Sequence, residues 1–390
     1  MTGYTWIKPE ENVFTYEGRI DFENPNAPTF VYAGSYFRLR LSGNTGYLCI
    51  QNHHSYFENT LGILVDGAYR GKIILHDAEK ICGETADFFK LRFQREEGEK
   101  LISENHAVSV DKTGEIRFYD LSAFLDGDEH EITVFKRMDT CHYFTFYGLI
   151  AQKDAAKKSA TALPSRRIEV FGDSVSCGEV SEAIGRCGGD DPEGHNGIYS
   201  NSYYSYSWIL ARMLDARVHI TSQGGIALLD GEGYFNDPER VGMLSSFDKI
   251  QINPSLGARK KWDFKQYIPH VVIVAIGQND HHPETYMVTD YDGEKAIRWR
   301  ESYKEFLGKL RAEYPDAEMI LTTTILGHEK EWDNAIDQVC REFGDPKIHH
   351  FLYSNNGCGT TGHIRRPEAE EMAAELTAYI DSLEEGIWED

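Results

Sequence analysis

A serine stands at the end of a strand-like run in the middle of this 390-residue chain. Residues 168–171 are mostly β-branched or aromatic, and Gly172-Asp173-Ser174 follows them directly. A buried strand places the residue after it at the edge of a sheet, where Ser174 would be a nucleophile if a base accepts its proton. Gly-Asp-Ser also occurs in ordinary turns, so the prediction depends on residues farther along the chain.

Three later positions repeat the pattern of a polar or glycine residue after an apolar run. Gly224 and Gly225 follow a second run, Asn279 closes a third, and His363 comes shortly before the last helical pattern. A hydroxyl nucleophile, backbone and carboxamide N–H donors and an imidazole base are the groups that acyl transfer needs. We therefore predict that these residues converge at one edge of a parallel sheet.

The ordered set resembles the SGNH, or GDSL-type, hydrolase superfamily. Its first block matches Gly172-Asp173-Ser174, its third block matches Gly277-Gln278-Asn279-Asp280, and its last block supplies His363. The resemblance implies that Ser174 is the nucleophile and His363 the proton shuttle. It also implies an oxyanion hole made by the backbone N–H of Ser174, the backbone N–H of Gly224 or Gly225 and the side-chain amide of Asn279. The sequence leaves open which of the two glycines donates.

Two residues depart from the superfamily pattern. Most of these hydrolases carry an aspartate three residues before the histidine, and this chain has Thr360 there. The proline that often follows the histidine is replaced by Ile364. Because threonine offers no carboxylate, we expect a Ser-His dyad in which another group, most simply a backbone carbonyl, holds the tautomer of His363. Loss of activity is the rival explanation.

Two kinds of pattern divide the chain into predicted domains. Residues 1–152 contain short segments in which apolar and polar residues alternate, which favours an all-β sandwich of the jelly-roll type. Residues 153–166 lose this periodicity and are predicted to be a linker. In residues 167–390 apolar runs alternate with helical patterns, which predicts an α/β domain with a three-layer, doubly wound parallel sheet of the SGNH type.

The segments behind these predictions are short and evenly distributed. The alternating segments include residues 37–41, 61–65, 89–93 and 131–135. The apolar runs are residues 168–172, 218–222, 271–276, 318–323 and 348–353, with helical patterns near 202–214, 296–313, 333–343 and 367–383.

The combination of an amino-terminal jelly roll with an SGNH domain whose histidine lacks a carboxylate resembles carbohydrate esterase family 2. Members of that family are similar in domain order and remove acetyl groups from plant polysaccharides. The segments Gly18-Arg19-Ile20-Asp21-Phe22 and Val65-Asp66-Gly67 look like strand openings of its small domain. The resemblance implies a serine esterase that removes O-acetyl groups from poly- or oligosaccharides through an acyl-enzyme, without a cofactor or a metal ion.

Sugar sites offer aromatic faces and a few polar groups, and the chain has both beside the predicted site. The segment 226–263 interrupts the alternation of strands and helices after the second block, and long loops at this edge of an α/β sheet accumulate binding groups. His281 follows the third block closely. In all, six residues are predicted to bind substrate: Asp173, Tyr234, Phe235, Trp262, Gln278 and His281.

Bulk properties argue against several classes of function. The formal net charge of −23 would repel nucleic acids and anionic membranes, so the predicted partner is neutral or cationic. No apolar stretch reaches the length of a membrane span. Seven cysteines without a Cys-x-x-Cys pair indicate neither a disulfide framework nor a structural zinc site. Because the first residues lack a secretory signal, we expect a cytoplasmic protein, or a secreted one if such a signal has been removed.

Two other functions stay open. A lipid or thioester hydrolase would use the same chemistry, although the chain shows no apolar lid or membrane-seeking helix. A carbohydrate-binding protein without catalysis would fit the missing aspartate, although Ser174, Asn279 and His363 are all present.

Overall fold

The structure is a computed structural model that describes residues 4–53, 57–75, 116–195, 197–236, 239–252, 259–383 and 386–389. Within these residues the chain forms two compact units. The first lies mainly within Met1–Arg137 and Cys141–Ala162, and the second contains Met138–Thr140, Leu163–Ile252 and Lys260–Asp390. The short segment Met138–Thr140 thus belongs to the second unit, although its neighbours in sequence belong to the first.

Antiparallel strands build the first unit as two sheets. The strands are β1 (Tyr4–Ile7), β2 (Thr15–Glu17), β3 (Ile20–Asp21), β4 (Thr29–Phe30), β5 (Tyr36–Gly43), β6 (Gly46–His53), β7 (Asn59–Val65), β8 (Ala68–Leu75), β9 (Ile116–Asp120), β10 (Gly127–Lys136), β11 (Tyr143–Gln152) and β12 (Lys157–Lys158). One sheet has the order β3-β4-β11-β6-β9, with β1 also paired to β11. The other has the order β12-β5-β10-β7-β8, with β2 also paired to β5.

Side chains from both sheets fill one core in this unit. Along β5, Phe37, Leu39 and Leu41 are buried and alternate with partly exposed residues, as the period of two predicts. The ring of Phe37 stacks on Phe146 of β11, with the ring centroids 4.1 Å apart. Contact between inward-facing residues of the two sheets makes the unit a sandwich.

Two sequence predictions for this region need comment. The predicted linker is not structureless throughout, because Lys157–Lys158 forms β12 and pairs with β5 at the edge of a sheet. The strand predicted at residues 89–93 lies outside the described residues.

Five parallel strands form the sheet of the second unit, and each coincides with a predicted apolar run. They are β13 (Arg166–Gly172), β14 (Ala216–Ser222), β15 (Val271–Ala275), β16 (Glu318–Thr322) and β17 (Ile348–His350), in the order β14-β13-β15-β16-β17. The order reverses between β13 and β15, and such a switch point opens a crevice at the carboxyl ends of the strands. Ser174 follows β13 and Asn279 follows β15, so the two blocks flank this crevice.

Helices accompany this sheet in the second unit. They are α1 (Ser174–Cys177), α2 (Tyr206–Met213), α3 (Met243–Ser246), α4 (Tyr286–Thr289), α5 (Glu294–Glu313), α6 (Lys330–Phe343) and α7 (Arg366–Asp381). α2 packs against α7, whereas α5 packs against α4 and α6. At the start of α7 the Glu368 carboxylate accepts a hydrogen bond of 2.7 Å from the backbone N–H of Arg365, and Pro367 occupies the first turn. None of the helices in the described ranges has the length and apolar character needed to cross a membrane.

Candidate active site

A strand, a sharp turn and one turn of helix position Ser174. A methyl group at Gly172 would lie 2.1 Å from the Oγ of Ser176, so the turn requires a residue without a Cβ. The carboxylate of Asp173 accepts a hydrogen bond of 3.0 Å from the backbone N–H of Val175, which caps α1. Ser174, the first residue of α1, is 4% exposed. Among the described residues, none forms a hydrogen bond with its Oγ.

His363 is held by a carboxylate that comes from another loop. The Nδ1 of His363 lies 2.6 Å from the Oδ2 of Asp191, and the backbone N–H of His363 donates to the Oδ1 of Asp191 at 2.9 Å. The expectation of a dyad whose histidine is held by a backbone carbonyl is therefore wrong. Asp191 precedes His363 by 172 residues. A local motif search around the histidine could not find it, and the only signal is a turn-rich acidic stretch at residues 186–194.

Glu179 contacts both His363 and Ser174. Its Oε2 is 3.6 Å from the Nε2 of His363, and its backbone N–H donates to the carbonyl oxygen of Ser174 at 3.0 Å. A methyl group at Gly224 would be 3.0 Å from the same Oε2 and 3.7 Å from the Cβ of Ser174. The Glu179 carboxylate thus adjoins both the imidazole and Gly224, and Gly224 adjoins Ser174. Sequence reasoning gave no role to Glu179.

The charges around His363 favour its protonated form. Burial alone would lower the pKa of His363, but the charge of Glu179 and the hydrogen bond and charge of Asp191 raise it to about 9. Burial raises the pKa of Glu179 to about 7, against the opposite effect of the His363 charge. Burial also disfavours ionisation of Asp191, yet its hydrogen bonds with His363 and the nearby Arg365 lower its pKa to about 2. At neutral pH Asp191 is thus a carboxylate and His363 is a positively charged imidazolium.

The side-chain amide of Asn279 ties the third block to the first. Its Nδ2 donates to the Oδ2 of Asp173 at 2.8 Å and to the carbonyl oxygen of Ile226 at 3.1 Å. The Nε2 of Gln278 donates to the same Oδ2 at 2.5 Å. This network fixes the end of β15 beside the turn that carries Ser174. It also engages both hydrogens of the amide that the sequence predicts to stabilise an oxyanion.

The two candidate glycines have different surroundings. Gly225 has φ of 72°, and its carbonyl oxygen accepts hydrogen bonds from the backbone of Tyr234 and Phe235. Gly224 is the one whose Cβ position adjoins Ser174, and its N–H donates to the Oδ2 of Asp139 at 3.2 Å. The amide predicted to bind an oxyanion therefore already binds a carboxylate oxygen of the chain itself.

Gln223 holds Asp139 at this position. The Nε2 of Gln223 donates to the Oδ2 of Asp139 at 2.7 Å, and its Oε1 accepts from the backbone N–H of Thr140 at 3.0 Å. Asp139 and Thr140 belong to Met138–Thr140, the segment that is part of the second unit. Both ends of the carboxamide are thus used to bind that segment, which no local pattern around Gly224 indicates.

The six residues predicted to bind substrate separate into two groups by exposure. Tyr234 is 53% exposed. Its hydroxyl lies 2.8 Å from the Nε2 of the partly exposed His281, and its ring stacks on His282 with the centroids 4.4 Å apart. The other four side chains are at most 6% exposed: Asp173, Phe235, Trp262 and Gln278. In this structure these four side chains offer little surface to a sugar, and their role in substrate binding stays a prediction.

No group of three or more histidine, cysteine, aspartate or glutamate side chains in the described part of the chain is arranged to hold a metal ion.

Comparison with known proteins identifies relatives for both parts of the chain. The family model "Carbohydrate esterase 2 N-terminal" matches residues 16–87. An acetylxylan esterase/glucomannan deacetylase of Cellvibrio japonicus is 27% identical over 293 residues, which cover 73% of this chain and 75% of that protein. The chain resembles the family 2 carbohydrate esterases. The cellulase/esterase CelE of Acetivibrio thermocellus is 26% identical over 94% of this chain, which spans only 39% of that longer protein.

A solved structure of a family 2 carbohydrate esterase extends the resemblance to the fold. The enzyme from Cellvibrio japonicus superposes with a TM-score of 0.72 at 21% identity, covering 100% of this chain and 99% of that chain. The predicted fold, a jelly-roll sandwich followed by an SGNH-type doubly wound domain, is confirmed. The suspected resemblance to carbohydrate esterase family 2 is confirmed with it.

The first prediction concerns the charge that Glu179 places beside the imidazole of His363. We expect the His363 ring to titrate near pH 9 in the wild type and at a lower pH in E179Q, because the substitution removes the negative charge nearest Nε2. NMR titration of the histidine rings measures this, with H363Q assigning the resonance. E182Q is the matched control, since the Glu182 carboxylate accepts from Asn201 at 2.8 Å. An unchanged His363 pKa in E179Q would contradict the electrostatic assignment.

Proposed function

We propose that this protein is a serine esterase that removes O-acetyl groups from carbohydrates, with Ser174 as the nucleophile and His363 as the base. The observation that carries the proposal is the contact between Asp191 and Nδ1 of His363, at 2.6 Å. It turns Nε2 toward the region that Ser174 and Gly224 border. The relative from Cellvibrio japonicus, named as an acetylxylan esterase and glucomannan deacetylase, supports the same chemistry.

The reaction proceeds through an acyl-enzyme. The Oγ of Ser174 attacks the acetyl carbon while Nε2 of His363 accepts the hydroxyl proton, and the carbonyl oxygen becomes an oxyanion. Collapse of this intermediate breaks the ester bond, and His363 gives the proton to the departing sugar oxygen. Water then attacks the acetyl-serine with His363 again as the base, which releases acetate and restores Ser174.

The oxyanion needs donors at the nucleophile turn, each worth about 3 to 4 kcal/mol of transition-state stabilisation. The backbone N–H of Ser174, the backbone N–H of Gly224 and the Nδ2 of Asn279 are the proposed set. Gly224 is preferred to Gly225 because its Cβ position lies 3.7 Å from the Cβ of Ser174. For Gly224 to act as an oxyanion donor, the Asp139 carboxylate must give up its hydrogen bond with the Gly224 N–H. The Asn279 amide must likewise replace one of its two hydrogen bonds within the chain by one to the substrate oxygen.

A neutral, ring-shaped leaving group fits the surroundings of the site. Tyr234 presents an exposed aromatic face with His281 at its hydroxyl, and both follow segments that end beside the nucleophile. Aromatic faces stack on the apolar side of sugar rings. The chain's net charge of −23 opposes polyanionic substrates such as phospholipid surfaces. An acetylated plant oligo- or polysaccharide is therefore the proposed substrate, with Tyr234 and His281 as its contacts.

One observation favours a second candidate, a carbohydrate-binding protein without catalysis. In this structure the N–H of Gly224 and both hydrogens of the Asn279 amide are engaged by the chain itself. If these contacts do not exchange, the acyl oxygen has only the Ser174 N–H to stabilise it. Glycan binding by the wild type without release of acetate would establish this alternative.

Replacement of the nucleophile tests the reaction itself. We expect S174A to release no acetate from acetylated xylan, acetylated mannan or a chromogenic acetate ester, since the other hydroxyl of that turn, on Ser176, is fully buried and hydrogen-bonded to the Tyr206 hydroxyl at 2.9 Å. Acetate is measured enzymatically, and positions are mapped by NMR of the glycan. Thermal unfolding of S174A should match the wild type, which shows that the fold is kept. Full activity in S174A would overturn the proposal, and faster turnover of octanoate than acetate esters by the wild type would favour a lipid hydrolase.

Removal of the self-bound carboxylate tests the oxyanion assignment. We expect D139A to raise kcat/KM for a chromogenic acetate ester, because the Gly224 N–H is then open to the substrate oxygen. T140A is the matched control, since it removes the other side chain bonded to Gln223 and leaves Asp139 in place. A well-folded D139A with lower kcat/KM than the wild type would mean that Asp139 supports the active geometry.

The aromatic contact can be separated from the chemistry by the choice of substrate. We expect Y234A to raise KM for acetylated xylo-oligosaccharides roughly 3- to 10-fold, the equivalent of one aromatic contact. Y234F, which keeps the ring and loses the hydroxyl next to His281, should have a smaller effect. Kinetics with a chromogenic acetate ester, which has no sugar, serve as the control and should be unchanged. Equal losses on both substrates would assign Tyr234 to the fold rather than to glycan binding.

A further inference from the structure

We propose that Asp191 and Arg365 are positioning residues for His363, and that residues 188–191, called the acid loop below, replace the carboxylate that related hydrolases carry at the position of Thr360. The inference rests on the proposed function, in which His363 is the base. It goes further by assigning the group that fixes the tautomer of His363 and the residue that fixes that group.

Asp191 holds His363 at two points. Its Oδ2 is 2.6 Å from Nδ1 of the ring and its Oδ1 accepts from the backbone N–H of the same residue at 2.9 Å. A carboxylate that binds both groups sets the ring orientation as well as its position. With the proton of Nδ1 directed at Asp191, the neutral ring has its lone pair on Nε2, which is the nitrogen that a general base must present.

Thr360 takes no part in this arrangement. It is 4% exposed, and its carbonyl oxygen accepts from the backbone N–H of Gly327 at 2.8 Å. Position 360 is therefore used to pair two loop segments, and the carboxylate reaches the imidazole from the acid loop instead.

Arg365 binds the acid loop through its guanidinium group. Its side chain is fully buried, and Nη2 lies 3.0 Å from the Oδ1 of Asp191. The same nitrogen donates to the carbonyl oxygens of Gly189 at 3.2 Å and Asp190 at 3.0 Å. One guanidinium group thus contacts three consecutive residues of the acid loop. A buried cation depends on its anion, and within the described residues Nε and Nη1 of Arg365 have no hydrogen-bond partner.

The start of α7 binds the other end of the acid loop. Glu368 accepts from the backbone N–H of Gly188 at 2.6 Å with one oxygen and from the backbone N–H of Arg365 at 2.7 Å with the other. Thr361 adds a hydrogen bond of 2.7 Å from its hydroxyl to the Oδ1 of Asp190. The loop is therefore attached to the segment that carries His363, which keeps Asp191 and the imidazole in one rigid group.

Gly362 allows the acid loop to approach this closely. A methyl group there would lie 2.7 Å from the Oδ1 of Asp191 and 2.7 Å from the carbonyl oxygen of Gly189. These distances are too short for a real side chain, so the loop would have to move. Four residues of the segment 361–368 thus lie against the acid loop: Thr361, Gly362, Arg365 and Glu368.

The experiment compares D191A, R365M, R365K and the double variant D191A/R365M with the wild type. The readouts are the His363 pKa from NMR titration and kcat for a chromogenic acetate ester as a function of pH. We expect kcat to fall about 10³- to 10⁴-fold in D191A and on the order of 10²-fold in R365M, with little change in KM. The His363 pKa should fall in both: D191A removes the negative charge beside Nδ1, and R365M lets the Asp191 carboxylate move away from Nδ1, which outweighs the rise that loss of the Arg365 cation alone would cause.

Two relations between the variants identify positioning. R365K should recover part of the loss, since lysine keeps the charge but not the fork that reaches several acceptors. The double variant should be no slower than D191A, because Arg365 acts through Asp191. R366M is the matched control: the neighbouring Arg366 bonds Glu370 on the surface at 2.8 Å and should affect neither readout.

G362A displaces the acid loop without removing a charge, so it tests the same inference if R365M does not fold. We expect it to lower kcat and the His363 pKa in the same direction as R365M. Folded R365M and G362A with wild-type titration and kcat would overturn the inference, as would losses that add in the double variant while the His363 pKa stays constant. If the wild type hydrolyses no ester, the proposed function fails, whereas the titrations still decide whether the acid loop sets the state of His363.

Discussion

The hydrogen bond between Asp191 and His363 is the interaction on which the proposed chemistry of this site depends. It decides which ring nitrogen carries the proton and toward which groups the other nitrogen points. Without it, the imidazole of His363 would have a choice of tautomers and Ser174 would have no oriented base. The 2.6 Å contact is formed between segments 172 residues apart, so the tertiary packing of the acid loop determines it.

A second carboxylate, Glu179, makes the base stronger and at the same time less available. The negative charges of Glu179 and Asp191 raise the pKa of His363 to about 9, and a stronger base accepts the serine proton more readily. The cost is that the free base is scarce at neutral pH. Burial raises the pKa of Glu179 to about 7, so Glu179 gains a proton close to neutrality. A protonated Glu179 no longer stabilises imidazolium, which makes the two groups titrate as one coupled pair.

Features set by local sequence were predictable, and features set by loop packing were not. Periodicity located all five parallel strands and the turn that carries Ser174, because burial on both faces leaves continuous apolar runs. The absence of a carboxylate at Thr360 led to the expectation of a dyad, since no sequence pattern links Asp191 to a histidine so far along the chain. The burial of Phe235 and Trp262 was not predictable, because composition does not distinguish a ring that packs in the core from one that faces a ligand.

Asp139 occupies the backbone N–H of Gly224, which is the proposed oxyanion donor. A carboxylate oxygen 3.2 Å from the backbone nitrogen of Gly224 occupies the place where the proposed oxyanion would bind. Two unit charges about 4 Å apart repel by about 4 kcal/mol at the effective dielectric of a protein site. That is as large as the 3 to 4 kcal/mol that one oxyanion donor contributes, so the donor gives no net advantage while the carboxylate remains. The proposed catalysis through Gly224 therefore requires Asp139 to move, and Gln223, which binds both Asp139 and Thr140, is the side chain that sets how readily this happens.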